Sequence, residues 1–175
     1  VAREVIDDLG MLGRLSRDLP AFLRAPVTVG EARARVREDL ARRDRRFLDL
    51  VERAVYGRPA GPYARLLRHA GCELGDLRAL VTREGVEGAL GQLADRGVYV
   101  AFDELKGRSP AVRGSSRFDF TEADFDNPLV PPHFAVYTSG SSGRASRVRR
   151  SLRFVEEVAV STAVGFDAHG LRAPR

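Results

Sequence analysis

A chain of 175 residues, 43% hydrophobic and 30% charged, makes about one domain that buries roughly two-thirds of its unfolded surface, which excludes both a peptide scaffold and a disordered tail. The single cysteine, Cys72, excludes a cystine framework and a zinc module and fits a reducing, cytoplasmic setting; the longest uncharged apolar stretch near the C-terminus, 158–166, is far below the roughly 18 residues of a membrane span. Lys plus Arg total 29 against 24 Asp plus Glu, a net charge of +5, yet the arginines between 33 and 46 are interleaved with acids as on a solvated helix face, so nucleic acid is not an expected partner.

Val5, Ile6, Leu9, Leu12 and Leu15 recur at three- and four-residue spacing, which predicts an amphipathic helix ending before Pro20. Thr28 and Glu31 have the form of a capping box. Ala32, Val36, Leu40, Phe47, Leu50, Val51, Ala54 and Val55 then continue on helical spacing, so one long helix is expected up to the break at 57–62, Gly-Arg-Pro-Ala-Gly-Pro. Tyr63 to Ala70 reads as a compact helix stopped by Gly71. A helical turn over 76–81 and a glycine-interrupted helix over 84–95 follow, the latter weakened at Gly85, Gly88 and Gly91 by about 1 kcal/mol each relative to alanine.

After Gly97 the period changes. Residues 98–102 (Val-Tyr-Val-Ala-Phe), 117–121 (Arg-Phe-Asp-Phe-Thr) and 133–138 (His-Phe-Ala-Val-Tyr-Thr) read as strands. The third leads into the loop 139–143, Ser-Gly-Ser-Ser-Gly, and the basic stretch 147–150, giving the expected order strand, Ser/Gly loop, strand and helix. A last helix opens at Ser151 or Leu152, with Phe154, Val155, Val158, Ala159 and Thr162 on its apolar face. No internal repeat is present.

The segment 137–148, Tyr-Thr-Ser-Gly-Ser-Ser-Gly-Arg-Ala-Ser-Arg-Val, carries the chemistry. Gly140 and Gly143 let main-chain N–H groups approach a ligand, and the hydroxyls of Thr138, Ser139, Ser141 and Ser142 add donors suited to phosphate oxygens. Arg144 supplies a fixed cation for an anionic group. The same composition also suits a plain hairpin turn. A Walker A loop is excluded because the expected Gly-Lys falls on Ala145 and Ser146, and no dinucleotide fingerprint occurs.

The run from Thr138 to Gly143 resembles the nucleotide-phosphate loop of the adenylate-forming superfamily, the acyl-CoA synthetases and their relatives, whose pattern is Thr-Ser-Gly-Thr-Thr-Gly-x-Pro-Lys. Serines stand for the two threonines, Ala145 for the proline and Ser146 for the lysine, departures that point to the branch of phenylacetate-CoA ligases and acyl-protein synthetases. Pro62-Tyr63 ahead of Gly71 and the segment 102–107, Phe-Asp-Glu-Leu-Lys-Gly, resemble the upstream part of that branch.

The resemblance implies an α/β fold in which a helical N-terminal region, 1–96, precedes the start of a mixed β-sheet subdomain, 97–175, an incomplete adenylation domain. It implies ATP with Mg²⁺, a carboxylic acid substrate, an acyl-adenylate, and a thiol acceptor such as CoA, an acyl carrier protein or an enzyme cysteine. Thr138, Ser139, Gly140, Ser141, Ser142, Gly143 and Arg144 would contact the phosphates, and Arg147 is a further candidate anion contact. The chain starts at Val1 and stops before the adenine, ribose and catalytic-lysine segments of that family, so it is expected to be the N-terminal part of a larger ligase and inactive alone.

The competing expectation is a non-catalytic helical interaction module, its long basic helix meeting an acidic partner and its Ser/Gly loop serving only as a connector. His69, His133 and His169 have no paired ligand spacing, and no metal site is expected. Asp119, Glu122, Asp124 and Asp126 beside Phe118, Phe120 and Phe125 read as a solvated cap more readily than as an acid–base pair. Cys72, just past Gly71, reads as a small buried residue, with the acyl-acceptor role as its alternative.

Overall fold

The computed structural model describes residues 2–137 and 147–171. The architecture is mixed α/β and mainly helical, with two separate two-stranded antiparallel sheets rather than one mixed sheet. The chain divides into two compact units, one of residues 42–129 and one of 1–41 with 130–175. The boundary read from sequence at residue 96 falls inside the first of these.

Within 42–129, the helix expected to run unbroken to Val55 is interrupted. Helix α2 (Val29–Ala41), in the other unit, stops before Arg42, and α3 (Arg43–Val51) starts after it. Residues 41–46 are all exposed, so no buried side chain holds the helical path across the gap between Leu40 and Phe47. A π-helical turn, Glu52–Tyr56, then closes with Gly57 N–H donating to the Glu52 carbonyl at 2.9 Å.

Helix α4 (Pro62–His69) begins with proline at its first position, where a missing N–H is harmless. It ends at Gly71 (φ +63), with Cys72 N–H donating to Leu67 O at 2.9 Å and Gly71 N–H to Arg68 O at 3.1 Å, the paired bonds of a left-handed helix stop. Helix α5 (Leu74–Asp95) is two helical segments meeting at Gly85, whose φ of 69° and ψ of 178° are a conformation essentially reserved for glycine.

Two apolar clusters fill this unit. One gathers Val51, Leu67, Cys72, Leu77, Leu80, Val81, Val86, Ala89 and Leu93 from α3, α4 and α5. The other joins Leu66, Ala111 and Phe120. Ala89 is fully buried and Leu93 is 4% exposed, so packing offsets the glycines of α5.

The strand expected at 98–102 is extended at 98–101 but has no ladder partner, and Phe102 instead opens the short helix α6 (Phe102–Leu105). Its alternation is explained by burial: Val98 and Val100 pack on the clusters while Tyr99 is 47% exposed. The guanidinium of Arg113 takes the place of a neighbouring strand, donating to Gly97 O at 2.7 Å and Tyr99 O at 2.6 Å. Arg113 belongs to β1 (Ala111–Arg113), a strand the sequence did not announce, which pairs antiparallel with β2 (Ser116–Phe118) around Gly114 (φ +59). Of the expected strand 117–121 only the first two residues lie in β2. The acidic stretch behind it is the expected cap: in the 3-10 turn Glu122–Phe125, Asp124 accepts from Thr121 N–H and Oγ at 2.8 and 2.9 Å.

Candidate functional site

The unit of residues 1–41 with 130–175 contains the hairpin that brackets the Ser/Gly loop. Strand β3 (Phe134–Tyr137) pairs antiparallel with β4 (Arg147–Arg150) in the register Phe134↔Arg150, Ala135↔Arg149, Val136↔Val148 and Tyr137↔Arg147. The basic stretch 147–150 is the strand expected between the Ser/Gly loop and the last helix. Its alternating partner is the β-branched and aromatic run of β3, and His133 N–H extends the ladder to Arg150 O at 2.7 Å. Ser151 follows at once and caps α7 (Leu152–Ala168), its Oγ accepting from Phe154 N–H at 3.1 Å.

The candidate phosphate-loop residues Thr138, Ser139, Gly140, Ser141, Ser142, Gly143 and Arg144 lie outside the described residues. What the structure describes is their frame. Among the described residues Tyr137 and Arg147 are the last paired positions, so the segment 138–146 joins the two strands of one hairpin.

That frame is tied to α1 (Ala2–Leu23). Arg147 pairs with Asp8, Arg149 with Asp7 at 3.2 Å, and His133 Nε2 with Asp18 Oδ2 at 3.2 Å. Arg14 Nε donates to Pro132 O at 2.8 Å. Arg147 and Arg149 are thus structural ion pairs of the hairpin rather than cations held out for a ligand, and the Arg150 guanidinium lies 4.0 Å above the Phe154 ring. On the other side of His133, Nδ1 accepts the Leu152 N–H at 3.4 Å, so the neutral ring carries its proton on Nε2, toward Asp18.

Sequence periodicity identified α1 but not the stripe it buries. Asp7, Met11, Arg14 and Asp18 share the face toward the hairpin, with Met11 4% exposed, whereas Ile6, Leu9 and Leu12 are 69%, 64% and 58% exposed. The helix also runs one turn past Pro20. Its last turn ends in short-range bonds, Arg24 N–H to Ala21 O and Ala25 N–H to Phe22 O at 3.2 Å each. The apolar face assigned to α7 shifts likewise: Leu152 and Val160 are buried while Phe154 and Val158 are exposed. Helix α7 packs on α2, where Ala32 is fully buried, Arg33 pairs with Asp167, and Arg35 with Glu156 at 2.5 Å. The capping box at α2 is present, with Glu31 accepting from Thr28 N–H at 2.9 Å.

Asp18 is held down to about 2, first by its hydrogen bond to Arg17 and then by His133. A carboxyl whose folded-state value is depressed contributes stability above its unfolded value and loses it as pH falls through the folded one. The Asp18 contribution should therefore be complete above about pH 4 and vanish toward pH 2. Asp18→Asn is expected to lower the urea midpoint at pH 7 and to converge on the parent chain in acid; parallel curves at every pH would remove Asp18 from this role.

In the other unit, Cys72 is 3% exposed among core side chains, and burial pushes its thiol up, the reverse of what an acyl acceptor requires. Its carbonyl accepts the Tyr56 hydroxyl at 3.0 Å. His69 stacks edge-on with Phe118 at 5.6 Å, and Glu122 pairs with Lys106 at 2.9 Å. Among the described residues no cluster of three or more His, Cys, Asp or Glu is placed to hold a metal ion, and no helix is long and apolar enough to cross a membrane. Comparison of the chain with known protein families, with curated proteins and with solved structures finds no match.

Proposed function

We propose that this chain is the N-terminal part of an ATP-dependent, carboxylate-activating ligase that forms an acyl-adenylate and passes the acyl group to a thiol. The observation that supports it is the order strand, Ser/Gly loop, antiparallel strand, capped helix. A segment of nine residues, 138–146, with two glycines and five hydroxyls joins two strands whose last described pair is Tyr137 with Arg147. Its glycines and hydroxyl donors are the chemistry an anion cradle needs.

In this reading the N–H groups around Gly140 and Gly143 and the hydroxyls of Thr138, Ser139, Ser141 and Ser142 hold the β- and γ-phosphates of ATP, which enters as its magnesium complex. Arg144 adds a cation. The substrate carboxylate displaces pyrophosphate at the α-phosphorus, and the work of the loop is positioning and charge stabilisation. Two of the three arginines of α2 are engaged within the fold, Arg33 with Asp167 and Arg35 with Glu156, which leaves the rival acidic-partner reading with less free charge than its sequence suggested.

The test is ³¹P line broadening of Mg·ATP by the chain. Broadening is expected, and Gly140→Ala with Gly143→Ala should abolish it. Absence of broadening in the parent chain would overturn the phosphate-loop reading. Carboxylate-dependent exchange of pyrophosphate into ATP by the longest product of the gene then separates a ligase from another nucleotide binder.

A further inference from the structure

We propose that the unit of residues 42–129 holds a small-molecule site, a cleft of about 240 Å³ that takes an uncharged single-ring molecule bearing a hydrogen-bond acceptor. This site lies on different residues from the 138–146 loop and does not rest on the ligase reading.

Two independent features point to it. The first is the π-helical turn Glu52–Tyr56, a rare element that occurs frequently at functional sites, which places Ala54 and Val55 along one wall. The second is the chemistry of the lining. Leu50, Ala54, Val55, Pro62 and Phe125 make it apolar, and Tyr63 meets Phe125 edge-on at 6.0 Å. Leu50 and Tyr63 remain 48% and 43% exposed, as the walls of an open cleft do.

The polar groups at this cleft offer donors. Among the described residues the Arg58 guanidinium makes one hydrogen bond, to Asp126 O at 3.3 Å, and the Tyr63 hydroxyl makes none. The Asp124 carboxylate is committed to Thr121, and Asn127 Oδ1 accepts from Leu129 N–H at 2.9 Å, which leaves its amide N–H₂ as a further donor. An acceptor on the ligand therefore completes groups that the fold leaves open, the usual division of labour in a mostly apolar pocket.

Charge and size narrow the ligand further. A carboxylate would gain Arg58 but meet Asp124 and Asp126, and an ammonium would gain the two aspartates but meet Arg58. A neutral acceptor such as a ketone or an amide avoids both. A dry cavity of about 150 Å³ accepts benzene, so this volume suits one ring with a short substituent.

The experiment is a ¹H–¹⁵N titration of the full chain with acetophenone, with benzoate, benzylammonium and ethylbenzene as comparators. Saturable shifts are expected at the amides of Ala54, Arg58, Tyr63 and Phe125. Ala54→Phe, which fills the cleft, should weaken acetophenone by about tenfold or more. Tyr63→Phe and Arg58→Gln, both outside the core, should each weaken it by about fivefold, the loss of one hydrogen bond, while leaving ethylbenzene unchanged. Diffuse, non-saturating shifts would overturn the site, as would full affinity in all three variants. Tighter binding of benzoate or benzylammonium would overturn the ligand class.

Discussion

Replacing Arg113 by alanine is expected to destabilise the 42–129 unit by about 3–5 kcal/mol, the range for breaking a buried ion pair by removing one partner. The Arg113 and Glu104 side chains are only 7% and 10% exposed. All five guanidinium N–H donors are used: two on the Glu104 carboxylate at 2.9 and 3.0 Å, and three on the carbonyls of Gly97, Tyr99 and Val112. Truncation leaves those acceptors unpaired and a buried carboxylate uncompensated.

Removing both charges at once, Arg113→Met with Glu104→Leu, should recover part of the loss, since the stranded charge is then gone. The pH dependence follows from Glu104, held below the ordinary carboxylate range first by its Arg113 hydrogen bond and also by the Ala101 N–H, against a desolvation that pushes it up. Its contribution is present above its unfolded value and falls as pH drops through the depressed folded one. Urea unfolding of parent and Arg113→Ala should therefore differ most near neutrality and converge in acid. A difference below about 1 kcal/mol at pH 7 would mean that water replaces the guanidinium at little cost.

Leu66→Ala is expected to cost about 2–5 kcal/mol. Leu66 is 1% exposed and belongs to the cluster with Ala111 and Phe120, while its neighbour Leu67, 3% exposed, belongs to the cluster with Leu77 and Val81. Helix α4 thus carries both clusters on adjacent positions, and a cavity at Leu66 separates β1 and Phe120 from the helix that supports them. Leu40→Ala, at a side chain 64% exposed, should stay within about 0.5 kcal/mol. Denaturant midpoints with unchanged slopes would establish the contrast; equal losses at the two positions would contradict the assigned core.

Local rules were legible at several points where one short segment satisfies itself, though not at the β1–β2 hairpin around Gly114. The Thr28–Glu31 box, the Gly71 stop, the Ser151 cap and the Asp124 cap each join residues a few positions apart, and propensity and hydrogen-bond geometry alone select them. The glycines at 71, 85 and 97, all at positive φ, fall where the sequence placed helix breaks or weak points. For the candidate site, the sequence marked a loop between one strand and a strand-to-helix unit, and the structure adds that the two strands pair antiparallel as one hairpin.

What depended on distant partners was not legible. The spacing of Ile6, Leu9 and Leu12 declares a helix, but the face that meets the rest of the unit runs through Asp7, buried Met11, Arg14 and Asp18, because the partner surface is a hairpin lined with Arg147, Arg149 and His133, more than a hundred residues away. Residues 98–101 alternate like a strand, yet the donor that meets the Tyr99 carbonyl comes from a side chain, Arg113, which no pairing rule anticipates.

By itself, then, the sequence determined the helix-rich start, the punctuation of the chain, the absence of a disulfide framework and the Ser/Gly loop with its hydroxyl and glycine chemistry, all properties of composition and short-range spacing. Only the tertiary structure decided which helix faces are covered, which arginines are consumed in ion pairs, and that an open cleft forms beside a π-helical turn. Those outcomes depend on energies between groups far apart in the chain. A one-dimensional pattern records the groups but not their meeting.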